Sequence, residues 1–153
     1  MEKDAKQKVK EFLAEHPAGV LSTVGKDSSP YSTTIYFVAD NELNIYFLSK
    51  SETKKIENIK VNNRVMLVGF EAKTQTNVQI SGTAQELKDG SDSQNIFQQI
   101  LEITRKTSGA EVPPVSKLFA GPYVIYKIKP KQINYSVYNQ KDLEMAVFET
   151  IEF

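Results

Sequence analysis

Residues 77–87 (NVQISGTAQEL) alternate apolar and polar side chains with a period of two. Val78, Ile80, Gly82 and Ala84 share one side of this segment, and polar residues occupy the other. Successive side chains of a β-strand point to opposite faces, whereas an α-helix repeats every 3.6 residues. The segment therefore predicts a strand, and it constrains the chain to a fold that contains a β-sheet.

Five further segments are rich in β-branched and aromatic residues, which favour strands. They are residues 19–25, 31–39, 43–48, 64–72 and 123–130, the last of which continues toward residues 133–138. The second and third are separated only by Asp40-Asn41-Glu42, which predicts a tight hairpin turn. Six strands in hairpin-like succession predict a mainly β fold, a small antiparallel barrel that is closed or nearly closed. The pattern alone does not distinguish a split barrel from an OB-fold or another Greek-key barrel.

Three segments have helical patterns and are expected to cover openings of the barrel. The first, with Ala5, Val9, Phe12 and Leu13 on one face, ends at His16-Pro17, because the residue before proline disfavours the α conformation. The second spans residues 51–60, with Ser51 as a plausible N-cap. The third begins at a predicted capping box of Ser91 and Gln94 and closes at Gly109. The tail, residues 142–153, carries too many ordered-looking apolar residues for a floppy end.

Composition weighs against several classes of function. The formal net charge is zero and two of the 19 basic residues are arginine, which disfavours nucleic-acid binding. The chain has no cysteine and one histidine, His16, so a thiolate or histidine-rich metal site and a Ser-His-Asp triad are hard to build. No signal peptide and no run of about 18 apolar residues is present, so we expect a cytoplasmic protein of one domain, residues 1–153, without a membrane partner.

Residues 46–55 (YFLSKSETKK) carry the features of a phosphate site. A strand ends in Tyr46-Phe47 and Ser49, and a helix then begins at Thr53-Lys54-Lys55. The amino end of a helix offers unpaired N–H groups and the positive end of a dipole, so it binds anions. Hydroxyl and lysine side chains add donors and charge. A capped, solvent-exposed helix has the same residue types, so this segment alone leaves both interpretations open.

In order and spacing, these segments resemble the FMN-binding split β-barrel of the pyridoxamine 5'-phosphate oxidase-like superfamily, in its general-stress-protein-like branch. The resemblance extends from about residue 11 to residue 138 and implies a six-stranded Greek-key split barrel with about three covering helices. Relatives most often have arginine-lysine where this chain has Lys54-Lys55, so the charge is kept but the bidentate fork is lost. The resemblance assigns flavin contacts to Thr33, Thr34, Ile35, Phe47, Leu48, Ser49, Thr53, Lys54, Lys55 and Asn77.

The same resemblance implies FMN as cofactor, or a deazaflavin coenzyme as the alternative, held at the interface of a homodimer to which Asn77 contributes from the partner subunit. True vitamin oxidases of this family have a C-terminal arginine-x-histidine, but this chain has no histidine after His16 and no arginine after Arg105. We therefore expect an FMN-dependent oxidoreductase that acts on an unidentified small molecule. A non-catalytic flavin-binding stress or sensor protein, a deazaflavin-dependent reductase and a nucleic-acid or protein-binding barrel remain alternatives. No catalytic residue and no metal ligand is assigned.

Overall fold

The structure is a computed structural model that describes residues 2–138 and 147–153. In chain order its elements are α1 (Glu2–Glu15), β1 (Ala18–Val24), β2 (Pro30–Ala39), β3 (Ile45–Lys50), α2 (Lys54–Val61), β4 (Arg64–Glu71), β5 (Thr76–Glu86), α3 (Ser91–Ser108), a 3-10 turn (Pro114–Lys117), β6 (Tyr123–Val137) and β7 (Val147–Glu152). Each strand and each helix predicted from the sequence is present within a few residues of its expected bounds.

The strands form one antiparallel sheet in the order β3-β2-β1-β4-β5-β6-β7, and β6 also pairs with β3. This additional pairing closes the first six of these strands into a barrel. Two three-stranded meanders are joined by a crossover from β3 to β4 through α2, which is a Greek-key connection. The predicted six-stranded antiparallel barrel is thus confirmed. The sequence analysis did not count β7, which lies outside the barrel against β6.

The 15-residue strand β6 pairs with three other strands. Its first half pairs with β3, where Ile128 faces Ile45, and its second half pairs with β7, where Ile133 faces Ile151. It pairs with β5 along most of its length, with a register shift at Ser81/Gly82. A Cβ atom at Gly82 would lie 2.2 Å from the carbonyl oxygen of Lys129, so only glycine fits this crossing without a shift of backbone.

The barrel interior is filled by alternate residues of the strands, as the period of two predicts. Fully buried side chains include Leu21, Phe37, Phe47, Leu67, Ile80 and Ile128. Helix α1 adds Val9, Phe12 and Leu13 to the same cluster, so it closes one opening of the barrel. Burial of each such side chain stabilises the fold by about 1.5–3 kcal/mol.

A second, smaller cluster lies outside the barrel wall, where Leu48 and Ile125 of the paired strands β3 and β6 contact Ile100 of α3. Helix α3 also packs on β2. This helix therefore covers the outer face of three strands and leaves space at its margins for a ligand.

Two predicted helix starts are wrong. Helix α2 begins at Lys54, with Thr53 at the N-cap position, rather than at Ser51. The amide groups of Ser51 and Glu52 donate instead to the carbonyl oxygens of Pro122 and Ala120, at 2.9 and 2.8 Å. These distant partners draw the two residues out of the helix.

The predicted capping box of Ser91 and Gln94 is also wrong. Gly90 is the N-cap of α3, and Ser93 Oγ accepts a hydrogen bond from the Gly90 amide at 2.9 Å and donates to its carbonyl oxygen at 2.8 Å. The predicted end of this helix at Gly109 is confirmed, since Gly109 is the C-cap with φ of 76°.

The turn between β2 and β3 is organised by Asp40. Its carboxylate accepts hydrogen bonds from the amide groups of Glu42 and Asn44 and, at 3.0 Å, from the Tyr46 hydroxyl. Burial, followed by the contact with Asp40, raises the pKa of Tyr46 to about 12. Tyr46 is half-buried and its ring lies outside the main core.

Part of the C-terminal tail falls outside the described residues. Residues 147–152 form β7, which agrees with the expectation that the tail is ordered, and residues 139–146 are not described. No helix within the described ranges is both long and apolar enough to cross a membrane.

Candidate functional site

A cavity of about 340 Å³ lies between the outer face of β2, the start of α2, helix α3 and the loop from α3 to β6. We call it the Lys55 cavity, and we call residues 110–122 of this loop the strap. Four of the predicted flavin residues line it: Thr34, Ile35, Leu48 and Lys55. Residues distant in sequence thus meet at one partly open cavity, within the volume range of small-molecule sites.

Lys55 is the unusual residue of this cavity. It is 8% exposed, and it is the one buried lysine in the described part of the chain. Its ammonium makes no hydrogen bond and no ion pair with residues 2–138 or 147–153. Burial without a compensating charge lowers the pKa of Lys55. An isolated buried cation is costly unless an anion accompanies it, so this site favours a negatively charged ligand.

Lys54, although adjacent in sequence, lies elsewhere. It is exposed and does not line the Lys55 cavity. Hydrogen bonds from Ser29 lower the pKa of the Asp27 carboxyl, and the nearby charge of Lys54 adds to this effect. Because neighbouring helix residues point about 100° apart, the two lysines face different surroundings, and Lys55 alone faces the cavity.

The first amide groups of α2 are free to bind an anion. Thr53 makes no side-chain cap hydrogen bond, and its carbonyl oxygen accepts from the amides of Ile56 and Glu57 at 3.1 and 3.0 Å. Within the described residues, the amides of Lys54 and Lys55 have no acceptor. This eight-residue helix therefore presents unpaired donors and its positive dipole end beside the Lys55 side chain.

The two predicted hydroxyl donors are engaged within the chain. Ser49 is fully buried, and its Oγ lies 3.0 Å from Thr53 Oγ1. Both hydroxyl groups also lie 3.1 Å from the carbonyl oxygen of Lys50. This cluster fixes the junction between β3 and α2, so Ser49 and Thr53 position the helix start and present no unused hydroxyl to the cavity.

Three other predicted residues lie away from the cavity. Phe47 is fully buried inside the barrel, where its ring stacks on Tyr126 with centroids 5.9 Å apart. Thr33 is half-buried on the inward side of β2, opposite Leu21. Asn77 lies on β5, three strands from β2 in the sheet, a separation of roughly 14 Å at normal strand spacing. Asn77 is therefore outside the reach of this cavity in its own chain.

The strap supplies a wall that the sequence analysis did not assign to the site. Pro113, Pro114 and Val115 line the cavity opposite Ile100, and Ser116 buries its Oγ without a hydrogen-bond partner. The far end of the strap is held to the turn before α2 by the two backbone hydrogen bonds of Ser51 and Glu52.

Ile100 could be predicted as a buried residue from the sequence, because it belongs to the apolar side of α3. The strap residues have no pattern of this kind. Nothing local in the segment EVPPVS indicates that it contacts residues more than 50 positions earlier in the chain. Ala18 and Tyr36, which also line the cavity, were likewise not assigned.

Within the described ranges, the outer face of β1 and β4 carries exposed apolar side chains. Val20, Met66 and Phe70 are 40%, 37% and 60% exposed, and they project on the same side as Thr34, because Val20 pairs with both Thr34 and Val68. Among the strand aromatics, Phe37 and Tyr126 are buried in the core and Tyr36 is half-buried, whereas Tyr31, Phe70 and Tyr123 are exposed.

A larger cavity, of about 510 Å³, lies between the start of α3 and the first residues of β6. Glu86 and Asp89 line it, together with Phe97 and Tyr123, and no lysine or arginine does. It contains none of the predicted flavin residues, and its carboxylates repel a phosphate. The smaller Lys55 cavity is thus the better candidate for an anionic ligand.

Comparison with known proteins gives one family match and three similar proteins. Residues 5–136 match the family model described as pyridoxamine 5'-phosphate oxidase. General stress protein 26 of Bacillus subtilis (strain 168) is 34% identical over 139 residues, which cover 75% of this chain and 96% of that protein.

Among solved structures, general stress protein 26 from Bacillus anthracis str. Sterne has a TM-score of 0.71 at 22% identity, covering 97% of this chain and 98% of that one. A pyridoxamine 5'-phosphate oxidase-related, FMN-binding protein from Nostoc punctiforme PCC 73102 has a TM-score of 0.59 at 13% identity, covering 99% and 95%. Both structures show a common fold.

Proposed function

The chain belongs to the pyridoxamine 5'-phosphate oxidase family, in its general-stress-protein-like branch, and on this premise we propose that it binds FMN with the phosphate at Lys55. The observation that carries the proposal is the buried Lys55 side chain, whose ammonium has no counter-charge among the described residues. The FMN-binding relative of the same fold supports the choice of flavin.

The electrostatics of the cavity fit the phosphate of FMN. A phosphate would supply the charge that Lys55 lacks and would accept hydrogen bonds from the free amides of Lys54 and Lys55. Hydrogen bonds to charged groups are worth about 1.5–3 kcal/mol each. The exposed ammonium of Lys54 adds attraction at longer range, which solvent screens.

The remaining cavity wall suits a flat, largely apolar ring. Leu48, Ile100 and Val115 would exclude water from it, and Thr34 offers a hydroxyl group. Bound flavin would supply the redox chemistry, while the chain binds, orients and shields it. We therefore propose an oxidoreductase that acts on a small molecule, and a non-catalytic flavin-binding stress or sensor protein is the second candidate. A deazaflavin coenzyme, which also carries a phosphate, is the alternative cofactor.

We include a homodimer in the proposal. The exposed face with Val20, Met66 and Phe70 adjoins Thr34, and contiguous exposed apolar residues on a sheet are typical of protein interfaces. Asn77 projects from the same outer surface, since it pairs with Phe70. In a dimer formed through this face, Asn77 would reach the flavin of the partner subunit. We also expect a cytoplasmic location, and nucleic-acid or protein binding by the barrel is the less favoured alternative.

Binding of FMN and riboflavin to single lysine variants tests the site, because only FMN carries the phosphate. We expect Lys55→Gln to weaken FMN binding about 10–100-fold, which corresponds to the loss of about one charge-assisted hydrogen bond. The affinity for riboflavin should stay within about twofold of wild type. Lys54→Gln is the matched control and should weaken FMN binding less than about threefold. Flavin fluorescence quenching measures both ligands.

Several results would contradict the proposal. If Lys55→Gln weakened the binding of FMN and of riboflavin equally, the phosphate would not lie at Lys55. If Lys54→Gln weakened FMN binding more than Lys55→Gln, the phosphate would lie at Lys54. Failure of wild-type protein to bind either FMN or a deazaflavin at micromolar concentration would remove flavin binding altogether. If FMN binds, stopped-flow reduction by NADH or NADPH separates an enzyme from a passive carrier.

A further inference from the structure

Lys55 combines three properties that are not found together at another lysine in the described residues. It is buried, its nitrogen has no hydrogen-bond or ion-pair partner, and it lines a cavity that small molecules can enter. Lys8, by contrast, is paired with Asp4 and Glu149, and Lys54 is exposed. Burial lowers the pKa of Lys55, whereas the hydrogen bond to Asp4 raises the pKa of Lys8.

We propose that Lys55 is a carbonyl-reactive lysine, which forms an imine with small aromatic aldehydes in the FMN-free protein. This site goes beyond flavin binding, because it depends on the lysine and its cavity and not on FMN. The uncharged amine of Lys55 is the nucleophile, and lysines that act in this way are typically desolvated in apolar pockets.

The reaction balances without an oxidant, a reductant or a metal. The Lys55 nitrogen attacks the aldehyde carbon, and the carbonyl π electrons move to the oxygen, which takes up a proton. The nitrogen loses its two protons, the carbinol oxygen leaves as water, and a carbon–nitrogen double bond forms. The net change is amine plus aldehyde to imine plus water, so the oxidation state of the carbon is unchanged.

The state of the amine favours Lys55 over its neighbours. A lysine with an ordinary pKa of about 10.4 is uncharged in roughly one molecule in a thousand at pH 7.4, and a lower pKa raises this fraction about tenfold per pH unit. An ion pair would counteract this effect by stabilising the ammonium, but no carboxylate of the described residues lines the cavity. The uncharged, reactive form is therefore enriched at Lys55.

The cavity walls select the class of carbonyl compound. Ile35, Leu48, Ile100 and Pro113 form apolar surface that suits a planar aromatic ring, and Thr34 and Tyr36 are the lining residues that carry hydroxyl groups. About 340 Å³ is more than enough for a single substituted benzene ring. Aliphatic aldehydes of similar reactivity gain less from these walls, so aromatic aldehydes should react preferentially.

Reductive trapping tests the proposal on the wild-type full-length protein. FMN-free protein is incubated at pH 7.4 with substoichiometric salicylaldehyde and sodium cyanoborohydride, which converts the imine to a stable secondary amine. Peptide mapping by mass spectrometry then gives the extent of labelling at each lysine. We expect Lys55 to be labelled severalfold more than Lys54, the adjacent residue in the same peptide.

Two controls distinguish this reactivity from ordinary surface labelling. In urea-unfolded protein the preference for Lys55 should vanish, because the two lysines then have similar surroundings. In the folded Lys55→Arg variant, which cannot form the imine, total labelling should fall by the Lys55 share alone. The proposal would be overturned if, in folded wild-type protein, the extent of labelling simply increased with the exposure of each lysine, so that Lys55 was labelled no more than Lys54.

Added FMN separates this inference from the proposed function. If FMN occupies the cavity, it should suppress labelling of Lys55 and leave Lys54 unchanged. Strong labelling of Lys55 that FMN does not affect would retain the reactive lysine and argue against the phosphate site. FMN binding without selective labelling would leave the flavin proposal standing and remove the carbonyl-reactive lysine.

Discussion

Gly82→Ala should destabilise the barrel at the point where β5 and β6 cross most closely. The new methyl group would lie 2.2 Å from the carbonyl oxygen of Lys129 and 3.1 Å from Cα of Pro130, and both atoms belong to backbone. Ordinary contact begins at 3.4 Å, so the strands would have to separate by about 1.2 Å. That is a quarter of the roughly 4.8 Å spacing between strands, which the local hydrogen bonds cannot span.

The expected cost follows from three contributions. Overpacking costs about 1–3 kcal/mol, and a weakened ladder hydrogen bond adds about 0.5–1.5 kcal/mol. Replacing glycine in a strand returns about 0.5–1 kcal/mol, because alanine loses less backbone entropy on folding. We therefore expect a net loss of about 2–3 kcal/mol in the free energy of unfolding. For a domain of this size, the thermal midpoint should fall by roughly 4–12 °C.

Gly69→Ala is the matched control in the neighbouring strand β4. Its Cβ would lie 3.1 Å from Cε1 of Phe12, an atom near the end of a side chain that can adjust. This variant should remain within about 1 kcal/mol of wild type. Urea unfolding followed by far-ultraviolet circular dichroism, at one protein concentration throughout, measures both. If Gly82→Ala stays within about 0.5 kcal/mol of wild type, or matches Gly69→Ala, the steric reasoning is refuted.

Two further predictions concern the proposed interface and the turn at Asp40. Phe70→Glu should shift the protein from dimer to monomer in analytical ultracentrifugation with little change in helix and strand content. The same substitution at the exposed Phe119 of the strap should leave the dimer intact, and a dimer that survives Phe70→Glu would exclude this face. The Tyr46 pKa of about 12 lies above the ordinary 10.0, so folding favours the protonated hydroxyl group. The contribution of this group to the free energy of unfolding is therefore complete below pH 10 and is lost as the pH rises from 10 to 12. The stability advantage of wild type over Tyr46→Phe should therefore shrink across this range in pH-dependent denaturant unfolding, and a constant difference would count against the hydrogen bond to Asp40.

The sequence predicted the fold well because its signals are local. Periods of two and of 3.6 identified the six barrel strands and three helices, and Gly109 marked a helix end through its left-handed conformation. The errors at Ser51 and Ser91 have another origin. The amide of Ser51 donates to the carbonyl oxygen of Pro122, 71 residues later in the chain. At the other helix, Gly90 was not predicted as the N-cap because its cap bond comes from the side chain of Ser93, which bonds back to the Gly90 backbone. Partners of this kind leave no trace in a short window of sequence.

The candidate site was predicted less completely, because it depends on side-chain direction. Lys54 and Lys55 are equivalent in the sequence pattern, yet the helix turns one toward Asp27 and the other into the cavity. Ser49 and Thr53 have the residue types of phosphate ligands, but their hydroxyl groups hydrogen-bond to each other and to the carbonyl oxygen of Lys50. The distinction between a free and a bonded donor exists only once the junction has folded.

The pairing of Ile45 with Ile128 has a consequence for synthesis of the protein on the ribosome. Strand β3 is translated early, but the strand that closes the barrel against it lies near the end of the chain. Until β6 emerges, β3 and β5 both present open edges with unpaired backbone groups, which are templates for aggregation. Nascent chains that stop before β6 should therefore be the form of this protein that most depends on chaperones.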